Sequence, residues 1–244
     1  MYGLIGKKLS HSFSADFFNA KFKREGLEHT FRLFPIASIE EFLVLIKDFP
    51  LLKGLNVTIP YKQEVIPFLH DLSAVARKTG AVNVIKILRH GNSIHLKGYN
   101  TDVTGFEKSL LPCLQAETTN ALVLGTGGAS KAVEFVLNKS GITPTFVSRT
   151  PQQGQLSYED IDETVMKANK LIVNTTPLGM CPDIEKAPPI PYEFITSAHL
   201  CYDLIYNPDL TQFLRNSSAQ GAQIKNGKEM LEIQALASWQ IWNS

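Results

Sequence analysis

The sequence predicts an α/β protein of two domains, and three observations carry that prediction. Short apolar runs alternate with segments whose apolar residues recur at helical spacing, the pattern of strands covered by helices. The pattern changes near residue 103, beyond which come a polar linker and a new series of strands. Gly125-Thr126-Gly127-Gly128-Ala129 follows directly on the apolar run Ala121 to Leu124 and precedes a helical segment, as a glycine-rich strand-to-helix turn does.

Taken in order, Tyr2 to Gly6 reads as a buried strand. Phe13, Phe17, Phe18 and Phe22 share a face of a helix over Phe13 to Lys23 that ends at Gly26. Thr30 to Phe34 is a second strand, and Ser38 with Glu41 forms a capping box for a helix to about Lys47. Leu55 to Thr58 is a third strand, stopped by Pro60, and a helix is expected from about Gln63 to His70. Val82 to Leu88 and Ser93 to Lys97 flank Arg89-His90-Gly91-Asn92 as a hairpin.

Beyond an amphipathic segment from Thr104 to about Leu114 and a linker from Gln115 to Asn120, strands are expected at Ala121 to Leu124, Pro144 to Ser148, Leu171 to Asn174 and Leu200 to Ile205. Helical segments alternate with them, the signature of a parallel sheet covered on both sides. A last helix, Lys228 to Trp242, carries the apolar stripe Met230, Leu231, Ala235, Trp239 and Trp242. The first domain is therefore placed at residues 1–103, with a mixed sheet, and the second at 104–226. The terminal helix, about 227–244, is expected to pack back onto the first domain, with the active site in the interdomain cleft.

At 244 residues and 44% hydrophobic content the chain can bury a core in each domain. Its net charge of +1 comes from 24 basic and 23 acidic residues spread along the sequence, which leaves no basic patch for nucleic acid. Cys113, Cys181 and Cys201 are odd in number and far apart, suited to a reducing cytoplasm and to neither a disulfide framework nor a metal cluster. No apolar run has the length of a signal peptide or a spanning helix, so the cytoplasm is expected and a membrane partner is not. None of the six histidines pairs at helical metal spacing, and no metal is expected.

Glycines in the 125–129 turn let the chain bend tightly and let a pyrophosphate approach the backbone, while the helix start supplies free N–H groups. A plain strand-to-helix turn is the bland alternative. After the next strand comes Ser148-Arg149-Thr150, with no acidic residue from Pro144 to Gln155 to take a ribose 2′-hydroxyl. The planar, always-charged Arg149 suits a 2′-phosphate instead, so NADP is favoured over NAD. Lys62, in Asn56-Val57-Thr58-Ile59-Pro60-Tyr61-Lys62, reads as a cation at a helix start, which macrodipole electrostatics disfavour and proton transfer would explain. Asp102, in Gly98-Tyr99-Asn100-Thr101-Asp102, is the candidate partner for it. The hydroxyl-rich loop Ser10-His11-Ser12-Phe13-Ser14 suits a carboxylate, or its serines simply cap a helix.

Six motifs in order across nearly the whole chain resemble the shikimate dehydrogenase family: His11-Ser12-Phe13-Ser14, Asn56 to Lys62, Gly80-Ala81-Val82-Asn83, Asn100-Thr101-Asp102, Gly125 to Ala129, and Asn226-Gly227 followed by Met230-Leu231 and Gln234-Ala235. The resemblance implies NADP-dependent, reversible reduction of 3-dehydroshikimate to shikimate, in the pathway to aromatic amino acids. It implies Lys62 as the acid/base, paired with Asp102. Ser12 and Ser14 would bind the substrate carboxylate, and Thr58, Asn83, Asp102, Gln234 and Tyr206 the ring. The turn Gly125, Thr126, Gly127, Gly128 and Ala129 would hold the pyrophosphate, and Ser148, Arg149 and Thr150 the adenosine phosphate. Thr175, Leu204 and Gly227 would line the way to the nicotinamide. The partner is then a small molecule, the chain a monomer or homodimer.

The chain departs from the family pattern in several places. Ala15 stands where proline is usual, Lys7-Lys8-Leu9 replaces a proline-containing turn, Ser148 stands for asparagine and Ala74 for an acidic residue. Between Thr150 and Ile161 the residues are too few and too poor in helix formers for the usual crossover helix, so a trimmed cofactor domain is expected. A quinate or quinate/shikimate dehydrogenase shares these substrate motifs and often uses NAD. A silent metabolite-binding homologue would have little use for both Lys62 and Asp102, and a folate-type dehydrogenase would call for stacking aromatics rather than a hydroxyl-rich loop.

Overall fold

Runs in which successive residues are buried become strands covered on both faces, and the computed structural model describes residues 1–9, 12–91 and 93–244 of the chain in two compact units. Ser10 and His11 of the hydroxyl-rich loop, and Asn92 of the hairpin turn, lie outside the described residues. One unit comprises Met1–Thr101 with Gln234–Ser244, the other Asp102–Ile233.

In the first unit β1 (Tyr2–Gly6), β2 (Phe31–Pro35), β3 (Gly54–Val57), β4 (Asp71–Leu72), β5 (Val84–His90) and β6 (Ser93–Tyr99) form a sheet in the order β2-β1-β3-β5-β6-β4. β1 is parallel to β2 and β3, β5 is antiparallel to β3 and β6, and β4 is parallel to β6. The sheet is therefore mixed, in keeping with the expected class. Two apolar clusters cover it. α2 (Glu41–Asp48) brings Phe42, Leu45 and Ile46 onto Ile5, Leu55, Val57 and Ile85. α1 (Phe13–Arg24) brings Phe18 and Phe22 onto Tyr2, Leu4 and Phe31.

The second unit contains α4 (Asp102–Leu110), β7 (Asn120–Leu124), α5 (Gly128–Lys139), β8 (Thr143–Val147), α6 (Glu163–Ala168), β9 (Leu171–Asn174), β10 (Leu200–Asp203), α7 (Gln212–Ala219) and β11 (Gln223–Lys225). Its sheet, in the order β11-β10-β9-β7-β8, is parallel throughout, which gives the Rossmann-like architecture. The strand order reverses between β7 and β9, the place where ligands bind in such sheets. α8 (Lys228–Asn243) ends the chain and buries Trp242 beside Tyr2, ring centroids 4.8 Å apart. Among the described residues no helix is long and apolar enough to cross a membrane.

Several elements differ from the sequence expectation. Gln63 to His70 forms no α-helix, only turns and one 3₁₀ turn at Ile66–Phe68. Pro67 lies inside that stretch and removes the N–H that an α-helix would need. The next residues add β4 and a short helix, α3 (Ala74–Thr79), capped by the Ser73 hydroxyl and closed by Gly80 at φ 61°. Of the capping box only the return half forms, with the Glu41 carboxylate accepting from the amides of Ala37 and Ser38 at 3.0 and 3.2 Å. No helix forms between Thr150 and Ile161, and the crossover to β9 is made by six-residue α6, capped by Asp162.

A buried histidine makes the second unit sensitive to acid. The Nδ1 of His199 accepts from the Thr196 amide at 3.0 Å, so its proton sits on Nε2, 3.0 Å from the Met166 carbonyl oxygen. Burial holds this imidazole below its usual range. A histidine depressed in the folded state adds stability that is fully present above its unfolded pKa of about 6.5 and is lost as pH falls from there through the lower folded pKa. His199→Gln should lower the melting temperature near neutrality yet flatten its decline on acidification. Parallel melting curves for the two proteins across that range would sink the assignment.

Candidate active site

In the first unit a buried polar network gathers at the end of β3. The Asn83 Oδ1 accepts from the Thr101 amide at 2.7 Å, and its Nδ2 donates to the Thr101 hydroxyl at 3.0 Å and to Gln234 Oε1 at 3.4 Å. Ser238 bridges the group, 3.1 Å from the Thr101 hydroxyl and 3.3 Å from Asn56 Nδ2. Gln234 and Ser238 sit four residues apart and share a face of α8, and the Ser238 hydroxyl donates to the Gln234 carbonyl at 2.8 Å. Asn83 and Gln234 are thus brought together, whereas Asn56, Thr101 and Ser238, which hold them, had no role in the sequence reading. Asn56 and Thr101 lie within the motifs that resemble the family, and Ser238 has no local signal.

Backbone bonds tie Lys62 to the same region. The Lys62 carbonyl accepts from the Val82 amide at 2.7 Å, and the Asn83 carbonyl accepts from Val57 at 2.9 Å. Just before Lys62 the Tyr61 hydroxyl donates to the Ile36 carbonyl at 2.8 Å and pins the turn. The expectation that Lys62 opens a helix is corrected: it lies in consecutive turns, so the macrodipole argument for its role does not apply. Its side chain is half-buried.

Thr58 follows β3, half-buried, and its carbonyl accepts from the Tyr61 amide. Ser12 is the N-cap residue of α1 but its hydroxyl does not cap the helix, so the bland use of that side chain is not taken. Ser14 is half-buried in the first helical turn.

Asp102 is a buried carboxylate in the first turn of α4, a position that a helix start favours for any acid.

In the second unit the cofactor candidates collect at the C-terminal ends of the strands. Gly125 has φ 101°, and a Cβ there would meet Thr175 Oγ1 and the Thr176 methyl at 2.9 Å, so a side chain is excluded twice over. The Thr175 hydroxyl donates to the Leu124 carbonyl at 2.7 Å, which sets Thr175 against the glycine turn. A Cβ on Gly127 would meet nothing within 4 Å, and this glycine is the uncapped N-cap residue of α5. Gly128 and Ala129 open that helix, whose first amides have no side-chain cap, a fit for a pyrophosphate.

At the end of β8 the Ser148 hydroxyl accepts from the Thr150 amide at 3.2 Å, turning the chain so that Arg149 is exposed. Leu156 then returns alongside: its amide donates to the Phe146 carbonyl and its carbonyl accepts from Ser148, each at 2.9 Å. Burial raises the Tyr158 hydroxyl above its usual value, and the charge of Arg149 pulls the other way. The Leu204 amide donates to the Asn174 carbonyl at 3.0 Å, and Gly227 donates to Ile205 at 3.0 Å. A Cβ on Gly227 would overlap the Leu204 carbonyl, so close backbone approach alone requires glycine there. Tyr206 is half-buried in the loop after β10.

Comparison with known proteins gives a consistent result. A family model described as the shikimate dehydrogenase substrate binding domain matches residues 4–85. A protein of Clostridium beijerinckii named shikimate dehydrogenase (NADP(+)) is 38% identical over 254 residues, covering 99% of this chain and 91% of the relative. The crystal structure of shikimate dehydrogenase from Aquifex aeolicus superposes with a TM-score of 0.86 at 35% identity, covering 99% of this chain and 91% of that one. Shikimate 5-dehydrogenase from Thermus thermophilus, in complex with NADP(H) and shikimate, does so with a TM-score of 0.85 at 28% identity, covering 99% and 92%.

The packing at position 227 can be tested without any ligand. Gly227→Ala forces the backbone of Leu204 to move and should cost about 1–3 kcal/mol of stability in denaturant unfolding. An unchanged midpoint would mean that the loop after β10 yields freely.

Proposed function

We propose, because the chain belongs to the shikimate dehydrogenase family, that it catalyses the NADP-dependent, reversible reduction of 3-dehydroshikimate to shikimate. The observation that carries this reading beyond family membership is the buried network of Asn83, Thr101, Gln234 and Ser238 beside the Lys62 turn. It holds amide groups in fixed directions, which suits the recognition of ring hydroxyls, since a substrate lacking one would leave a buried group unpaired.

Bound NADPH supplies the hydride. In the direction of reduction the ammonium of Lys62 would give a proton to the ketone oxygen, which becomes the hydroxyl; in oxidation neutral Lys62 would take that proton back. Asp102 serves as the second member of the catalytic pair. Ser12 and Ser14 bind the ring carboxylate, and Thr58, Asn83, Asp102, Gln234 and Tyr206 bind the ring hydroxyls. The turn Gly125 to Ala129 would hold the pyrophosphate, Arg149 with Ser148 and Thr150 the 2′-phosphate, and Thr175, Leu204 and Gly227 would line the way to the nicotinamide.

The absence of a helix between β8 and α6 leaves the adenine end open to solvent, a reading that a cofactor-bound structure with a fully enclosed adenine would overturn. The three free cysteines suit a reducing cytoplasm as the place of work.

The direct test follows reduced nicotinamide by absorbance with shikimate or quinate and with NADP or NAD. Turnover chiefly with shikimate and NADP is expected, and preference for quinate or NAD would move the assignment to a quinate dehydrogenase. Lys62→Ala should lower kcat by about 10²- to 10⁴-fold with little change in the shikimate KM. Arg149→Ala should raise the KM for NADP by about 10- to 100-fold, the ~1.5–3 kcal/mol of a charged hydrogen bond, and leave that for NAD nearly unchanged.

A further inference from the structure

The neighbouring strands β9 and β10 end in matched turns that are bonded to each other. Asn174 and Asp203 lie directly opposite in the parallel register. The Asn174 Oδ1 accepts from the Thr176 amide at 3.0 Å and from the Thr176 hydroxyl at 2.7 Å. One strand over, Asp203 Oδ1 accepts from the Ile205 amide at 3.0 Å, the same side-chain-to-backbone turn two residues on. Asn174 Nδ2 joins the two by donating to Asp203 Oδ1 at 3.0 Å. The second carboxylate oxygen accepts from the Thr211 hydroxyl at 2.6 Å, and that hydroxyl caps α7 by accepting from the Leu214 amide.

We propose that Asp203 is a positioning residue for the cofactor site: its carboxylate fixes the loops that leave β9 and β10, and so sets where Thr175, Leu204 and Gly227 stand, without itself touching the cofactor. The inference rests on the functional reading above. Each controlled residue is one or two bonds from the hub. Thr175 lies between Asn174 and Thr176, both held by the side chain of Asn174. Leu204 lies between Asp203 and Ile205 and donates to the Asn174 carbonyl, while Gly227 donates to the carbonyl of Ile205.

The chemistry of the hub argues against simple filling. Asp203 is fully buried, and burial pushes its carboxyl up to about 7 despite three donors that pull it down. An apolar residue at the end of β10 would avoid that penalty, so the carboxylate is kept for what its two oxygens hold. Asparagine at 174 completes the pairing: it accepts from one loop and donates to the other, where a second carboxylate would only repel Asp203.

The test compares wild type, Asp203→Ala and Asp203→Asn by calorimetric titration with NADP⁺ and with shikimate, and by amide hydrogen exchange of the ligand-free proteins. Asp203→Ala should weaken NADP⁺ binding about tenfold or more, and weaken shikimate binding by a smaller factor, through Tyr206 of the same loop. It should also speed exchange at Thr176 and Ile205. Asp203→Asn keeps Oδ1 for Ile205 and Asn174 and turns its amide to Thr211, so it should restore most of both properties. If Asp203→Ala does not fold, Asn174→Ala, which cuts only the tie between the loops and the Thr176 turn, is read in the same way. A wild type that binds and a variant that binds as tightly, with unchanged exchange, overturns this inference alone. A wild type that binds no NADP⁺ overturns the functional reading and this inference with it.

Discussion

The indole of Trp242 occupies the space that a side chain on Gly54 would need, and its Nε1 donates to the carbonyl of Ile85 at 3.1 Å. This interlock fastens the last helix to the middle of the first sheet. Gln234, Ser238 and Trp242 are spaced by four residues, so they form one stripe along α8, apolar at one end and polar at the other. Once Trp242 is seated, Ser238 and Gln234 arrive at the ends of β3 and β5, where Asn56, Asn83 and Thr101 take up their hydrogen bonds. A residue more than 130 positions from Asn83 in sequence can face it because one aromatic side chain fixes the register of the whole stripe.

The two units solve a common problem in different ways. At strand ends the ladder stops and the next backbone groups need partners. In the first unit they find them in a network that includes side chains from the chain terminus. In the second they find them close by, in the paired turns of Asn174 and Asp203 and in the hydroxyls of Thr175, Thr176 and Thr211.

Much of this was legible in the sequence, and the rest was not for definite reasons. The strands of the second sheet stand out because burial on both faces demands continuous apolar runs, as in Ala121 to Leu124 and Leu171 to Asn174. The glycine turn stands out by its place between an apolar strand and a helix, whereas the role expected of Lys62 comes from the resemblance to the family. The helix expected at Gln63 to His70 failed because apolar spacing outweighed the proline in the middle of the segment. β4, with two residues, and β11, with three, are too short to have a period. Ser238 could not be singled out, since one serine in an amphipathic helix becomes a partner only through the long-range packing of Trp242 and Gly54.

The return of Leu156 beside β8 has a consequence for how the molecule behaves in a crowd. β8 is the outermost strand of its sheet, and a bare outer strand invites another chain to add to it. The residues whose backbone points outward are 144, 146 and 148, as the two bonds from Leu156 to Phe146 and Ser148 reveal. At 144 the sequence has proline, which offers no N–H, and at 146 and 148 Leu156 already takes the carbonyl and the amide. A segment too short for a helix thus covers part of that margin, with a single residue and a proline in place of a whole strand.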